Sequence, residues 1–197
     1  MQKTNDGLLK IGENWLNPKK GRVLISEPFA SDMIFKKSVV YIVDHSEDST
    51  MGFILNKQVD IEGNPFFRII GVLPFELSFG GPVAINRILY IHTLGPQVIP
   101  NSVEISDGIY LGGDYKAVRD KIDSGEASPK DVRFFLGYAG WSSHQLEQEI
   151  KSKFWIVGNL DKETIMDYHS DVWGEAVKKL GGRYKLWENL PSNPQLN

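Results

Sequence analysis

Two short apolar runs dominate the pattern of this chain: Ser38-Val39-Val40-Tyr41-Ile42-Val43-Asp44-His45 and Met51-Gly52-Phe53-Ile54-Leu55-Asn56-Lys57. Both are rich in β-branched and aromatic residues, and neither alternates with polar positions. That is the pattern of strands buried on both faces. The residues between them, Ser46, Glu47, Asp48, Ser49 and Thr50, are turn formers and solvated groups, so the pattern predicts a hairpin with a longer loop.

The flanking segments can be read the same way. Val23-Leu24-Ile25-Ser26 is a first strand stopped by Pro28. Asp32 caps a turn through Met33, Ile34 and Phe35. Phe66, Phe67, Ile69 and Ile70 have the spacing of a short helix closed by Pro74. Leu77-Ser78-Phe79 is a strand running into Gly80-Gly81-Pro82-Val83, and residues 87–93 form another. Val103-Glu104-Ile105-Ser106 and Ile109-Tyr110-Leu111 make a hairpin, with Asp107-Gly108 supplying the positive φ angles of a type I′ turn. Asp114 caps a helix through Val118 and Ile122 that ends at Gly125.

Residues 132–138 are a strongly apolar strand. A glycine turn from Gly137 to Trp141 then leads into a helix that Ser142 and Gln145 begin as a capping box. Residues 154–157 are a strand. Ser170 caps a last helix through Val172, Trp173, Ala176, Val177 and Leu180, stopped by Gly181-Gly182. Strands come first in hairpins and alternate with helices only later. That order predicts an α+β fold with a mixed sheet.

Length and composition narrow the class. A chain of 197 residues is expected to form one compact domain, with two intimately packed lobes as the alternative. Residues 21–186 are its body, 1–20 an extension and 187–197 a polar tail. Leu8, Leu9, Ile11, Trp15 and Leu16 fit a short amphipathic helix that docks on the body. There is no cysteine, which excludes disulfides, thiol nucleophiles and cysteine metal sites. The formal charge of −3 argues against a whole-surface grip on nucleic acid. Lys19, Lys20, Arg22, Lys36 and Lys37 form a modest basic cluster of the kind that solubilises a face. No apolar run approaches the roughly 20 residues of a membrane span, and no signal-peptide core is present, so a cytoplasmic location is expected.

Familiar catalytic motifs are missing. The chain has no Gly-x-Ser-x-Gly elbow, Walker A loop, dinucleotide fingerprint or His-Glu-x-x-His helix. Residues 114–138 could pass for a helix-turn-helix, but Val132-Arg133-Phe134-Phe135-Leu136 is too apolar for a recognition helix. His144 and Glu147 lie on one helix face, as metal ligands could, in a helix whose other polar residues suit solvent.

Three segments carry a resemblance. They are residues 24–57 with Asp44-His45 and Met51-Gly52-Phe53-Ile54-Leu55-Asn56-Lys57; Gly80-Gly81-Pro82-Val83; and Leu136-Gly137-Tyr138-Ala139-Gly140-Trp141 followed by residues 145–150. In this order they resemble the AlgH/YqgE family of bacterial proteins. The resemblance runs from about Gly21 to Gly181. It implies a single α+β domain with a branched, partly barrel-like mixed β-sheet surrounded by helices. Members often bear the label of transcriptional regulator, while their biochemical function is largely unknown, so no catalytic residues carry over. Members usually begin near the strand that holds Leu24, which leaves residues 1–20 as extra.

The candidate site residues each admit two readings. His45, beside Asp44, suits acid/base work or a metal; it equally suits a ring bonded to a loop that fixes the hairpin. Asn56 and Lys57 with Gly80, Gly81 and Pro82 suit the rim of a ligand pocket, or a forced turn packed on the hairpin end. Gly137 and Trp141 suit an anion-binding turn, or simple core filling.

Residues and resemblance together point to a non-catalytic binding or regulatory protein without cofactor or metal. It would act through a protein partner or a small ligand near the 38–57 hairpin, with self-association compatible. Two alternatives make different demands. A small hydrolase or transferase needs His45, Asn56 and Lys57 to converge in one cleft. A direct DNA-binding regulator needs a contiguous basic face.

Overall fold

A computed structural model describes residues 16–30, 32–59, 76–168 and 171–188. Nine strands lie in this order across the sheet: β6 (Val103–Ser106), β7 (Ile109–Leu111), β5 (Val83–His92), β8 (Val132–Ser142), β3 (Ser49–Ile54), β2 (Val39–His45), β1 (Val23–Ser26) and β9 (Trp155–Gly158), with β4 (Leu77–Phe79) joined to β8 off this path. The β4–β8 pair is parallel and every other pairing is antiparallel. The helices are α1 (Tyr115–Asp123), α2 (Ser143–Lys151), α3 (Lys162–Met166), α4 (Val172–Leu180) and α5 (Lys185–Glu188).

The sheet forks at β8. Its first half pairs with β5 on one side and β4 on the other, whereas Ala139 to Ser142 pair with β3. Past Gly52 and Ala139 the strands β3 and β8 part, and the chain after β4 fills the gap. The Ile54 N–H donates to the Gly80 carbonyl at 2.9 Å, and the Gly80 N–H donates to the Leu136 carbonyl at 2.8 Å. The sheet also curls. Ile91, Ile105 and Ile109 from one arm share an apolar core with Val23, Tyr41, Val43 and Phe53 from the other. The Tyr41 and Ser106 hydroxyls meet at 3.2 Å across the curl. The result is the branched, half-barrel α+β architecture that the resemblance implies.

Helices cover what the curl leaves open. Helix α4 buries Val172, Trp173, Ala176 and Val177 on the concave side, a stripe of helical period. On the convex side α2 buries Leu146 against Leu24, Val40, Ile42, Trp141 and Trp155. Helix α1 buries Val118 and Ile122 against Val132 and Phe134. Since both faces of β2 are covered, its residues from Val39 to Val43 are all buried. This is why that run shows no alternation.

The hairpins, the Asp107-Gly108 turn (φ 51° and 74°) and the Asp114 cap agree with the sequence reading. Four details differ. Strand β5 begins at Val83, four residues earlier than expected, because it runs past a wide register break between Val83 and Ile88. The last helix is capped by Asp171, whose carboxylate accepts from the Gly174 N–H at 3.1 Å; Ser170 lies outside the described residues. Helix α3 has too few residues to show a period. Finally, Gly137 to Trp141 is no strand-to-helix turn. The strand bends at Gly137 (φ 66°) and continues through Trp141, so its second half can join a different neighbour. The helix expected around Phe66 to Ile70, most of the 1–20 extension and the end of the tail also fall outside the described residues.

Candidate functional site

The β2–β3 hairpin has two ends, and the candidate residues divide between them. At one end the fork consumes them. The Asn56 side chain accepts from the Val39 N–H at 2.9 Å and donates to the Lys37 carbonyl at 2.7 Å, taking over where the ladder stops. Lys57 donates to the Met33 carbonyl at 2.9 Å and so ties down the turn before β2. Its ammonium is pushed below the usual lysine range by burial, which the Asp32 carboxylate opposes. The glycines answer to backbone: a Cβ on Gly81 (φ 151°) would lie 2.2 Å from the Tyr138 carbonyl carbon, and one on Gly137 would lie 2.5 Å from the Gly81 carbonyl oxygen. What approaches Gly80 and Gly81 so closely is β8. Pro82 is exposed beside them.

Arg133 sits in the crotch of this fork, 1% exposed. One terminal nitrogen donates to the Ile165 and Asp167 carbonyls at 2.6 and 3.0 Å. The other donates to the Leu55 carbonyl and to the Ser78 hydroxyl. Its guanidinium carbon lies 5.4 Å from the Phe135 ring centre and 4.7 Å from that of Tyr168. The splaying strands leave the Leu55 carbonyl and the end of helix α3 leaves those of Ile165 and Asp167, and a planar cation with several donors serves them together. Burial pushes the guanidinium down to about 10, against the pull of Tyr168, Asp167 and Glu76. Its signal along the chain is a lone cation inside the apolar run of β8.

Trp141 belongs to the convex core. Its indole N–H and that of Trp155 donate to the same Glu149 oxygen, at 2.8 and 2.7 Å, and Gln145 donates to the other oxygen at 2.9 Å. Ala139 to Ser142 are in register with β3, so this segment runs on as extended strand instead of the turn that an anion site at Gly137 and Trp141 supposed.

The tip of the hairpin is different. A bulge between Ile42 and Asp44 leaves Val43 unmatched and sets His45, instead of Asp44, opposite Thr50. His45 Nδ1 therefore lies 2.7 Å from the Thr50 hydroxyl, on the face that carries Trp141 and α2. The turn closes on itself: the Ser46 N–H donates to the Ser49 carbonyl at 2.9 Å, and the Ser46 hydroxyl accepts from the Asp48 and Ser49 amides. Between this tip, α2 and the Asn17-Pro18 segment lies a cleft of about 740 Å³, with Leu146, Ile150 and Pro18 among its apolar walls and His45, Glu47, Glu147 and Lys151 among its polar ones. Arg22, itself outside the lining, fixes the Asn17 segment by donating to the Asn17 carbonyl at 2.5 Å. Glu147 lines this cleft while His144, exposed on the same helix, does not.

The structure thus places His45 at one end of the hairpin and Asn56 and Lys57 at the other. Nor does a helix-turn-helix exist at 114–138, whose second half is strand β8. Among the described residues no helix is long and apolar enough to cross a membrane.

A forked, half-barrel α+β domain with a preformed cleft is the class these features define. The chain belongs to the AlgH-like family (DUF179), whose model matches residues 23–185. It is 39% identical over 192 residues to a UPF0301 protein of Parabacteroides distasonis, covering 96% of this chain and 97% of that one. The uncovered 4% is shorter than the stretch before Gly21, so part of that stretch has a counterpart there. The fold is shared with a crystal structure of a Corynebacterium diphtheriae protein (TM-score 0.69, 22% identity, 89% and 94% of the two chains). It is also shared with the solution structure of the AlgH protein from Pseudomonas aeruginosa (TM-score 0.66, 24% identity, 87% and 94%).

Proposed function

We propose that this is a binding protein without catalytic activity, and that the cleft between the hairpin tip and α2 receives a segment of a protein partner. The cleft itself carries the reading. It is preformed, it has an apolar floor and an ionisable rim, and its volume falls within the roughly 300–1,000 Å³ of ordinary ligand sites. The polar groups at its base, His45 Nδ1 and the Thr50 hydroxyl, bond to each other. A nucleophile and its base would share the same kind of bond, but Thr50 is only 2% exposed, which keeps its hydroxyl from a substrate. Asn56 and Lys57, the other members of an enzyme reading, hold backbone carbonyls at the far end of the hairpin.

A photo-crosslinking amino acid placed at exposed Glu147 tests this in cells. Adducts with a discrete protein are expected from that position and not from exposed Arg119 on helix α1, which contributes nothing to the cleft lining. Equal labelling from both positions would reject the cleft as the contact.

A further inference from the structure

Resting on that reading of the cleft, we infer that its occupant is a cationic segment: an extended stretch of a partner protein with lysine or arginine next to an apolar side chain. The floor accepts the apolar group, through Leu146, Ile150 and Pro18. The rim selects the charge. Glu47 stands on the hairpin side and Glu147 on the helix side. Lys151 and Glu147 face each other at 3.8 Å and offset each other, which leaves Glu47 as the uncompensated charge of the lining. Asp44 and Asp48 are exposed on the same tip as Glu47, and no lysine or arginine occurs between Ser38 and Asn56. Among the described residues no ion pair engages these three tip carboxylates. Lys19 and Lys20 follow Pro18 in sequence, but neither is among the described walls of the cleft.

An acidic rim over an apolar floor attracts a cation and repels phosphate, so nucleic acid and anionic membrane are the wrong occupants. A protein segment fits better than a small metabolite. The cleft is a groove between a hairpin tip and a helix, and its central hydroxyl and imidazole are turned toward each other.

Three fluorescent nonapeptides test the inference on the full chain: one alternating lysine with leucine, one with glutamate replacing lysine, and one with serine replacing leucine. Anisotropy is read at about 50 mM salt, where surface charge is least screened. The lysine–leucine peptide is expected to bind at least about tenfold more tightly than either counterpart, since like charges across an interface are strongly disfavoured. Glu47→Lys combined with Glu147→Lys reverses the preference between lysine and glutamate peptides, with the circular dichroism spectrum unchanged.

Equal binding of the glutamate peptide, or no binding of the lysine peptide, overturns the inference. If binding ignores charge but is lost in Ile150→Ser, the cleft reading stands and the cationic class falls. If Ile150→Ser changes nothing, the cleft reading falls with it. A dimer in sedimentation that dissolves in Glu47→Lys assigns the cleft to a second copy of this chain, which also overturns the inference.

Discussion

The two ends of the β2–β3 hairpin both carry polar residues and do opposite things. At the fork, asparagine, lysine, arginine and glycines turn inward and hold backbone. Asn56, Lys57 and Arg133 all donate to main-chain carbonyls, and Gly81 and Gly137 let two strands touch. At the tip, a bulge and a self-closed turn leave carboxylates facing outward, with a cleft beneath them. A glycine pair beside polar residues signals close approach of something. Only the destination of the neighbouring strand says whether that something is a ligand or the protein itself.

The contrast breaks if substitutions at the fork prove harmless. Gly81→Ala forces a Cβ into the Tyr138 backbone and is expected to cost upwards of about 4 kcal/mol, among the largest single-residue effects. The readout is failure to accumulate as soluble protein, or a collapsed urea midpoint. Arg133→Ala takes the Arg133 donor from three buried acceptors and from the half-buried Asp167 carbonyl, and leaves a cavity, at a cost of about 3–5 kcal/mol. Arg133→Lys should recover only part of this in the same urea titration, because one ammonium cannot reach both the end of α3 and the fork.

Smaller effects sharpen the comparison. Asn56→Ala removes both side-chain bonds that end the hairpin ladder and should cost about 1–3 kcal/mol. Its affinity for the lysine–leucine peptide should not change, which separates this end from the tip.

His92 offers a test by pH. It is fully buried, its Nε2 bonds the Gly112 carbonyl at 3.0 Å, and its Nδ1 has no partner among the described residues. Burial holds the imidazole below its ordinary 6.5, while the Gly112 bond opposes that shift. The unfolded chain then takes up a proton that the folded chain refuses. Stability is therefore full above about pH 6.5 and falls as pH drops below it toward the folded-state value. Urea midpoints across this range should show the decline, and His92→Gln should flatten it. The smallest expected effect is at the tip, where Glu47→Lys and Glu147→Lys should each move stability by no more than about 0.5 kcal/mol while altering peptide binding.

Much of the fold was legible along the chain. Runs without alternation marked β1, β2 and β3, because strands covered on both faces need apolar groups on both. Asp107-Gly108 marked its turn, and Asp114 and Ser142 marked helix starts, since each is decided by dihedral preference and side-chain bonds within a few residues. The path of β8 was not legible. Gly137 and Gly140 look locally like a turn, yet the strand passes through, because pairing with β3 some 90 residues away in sequence outweighs local preference.

The candidate site was legible only in part. His45 was picked out, but its place depends on a bulge set by β2–β3 register. Glu147 stood out only as a possible metal ligand, and Arg133 only as one of too few polar groups on an apolar segment.

The sequence by itself therefore determined most of the strands, the Asp107-Gly108 turn and the Asp114 and Ser142 helix starts, all of which follow from short-range sterics and from which side chains leave water. Only the tertiary structure decided which polar residues face solvent and which face backbone. That choice depends on where two distant strands part company, and on which carbonyls are left there to be satisfied.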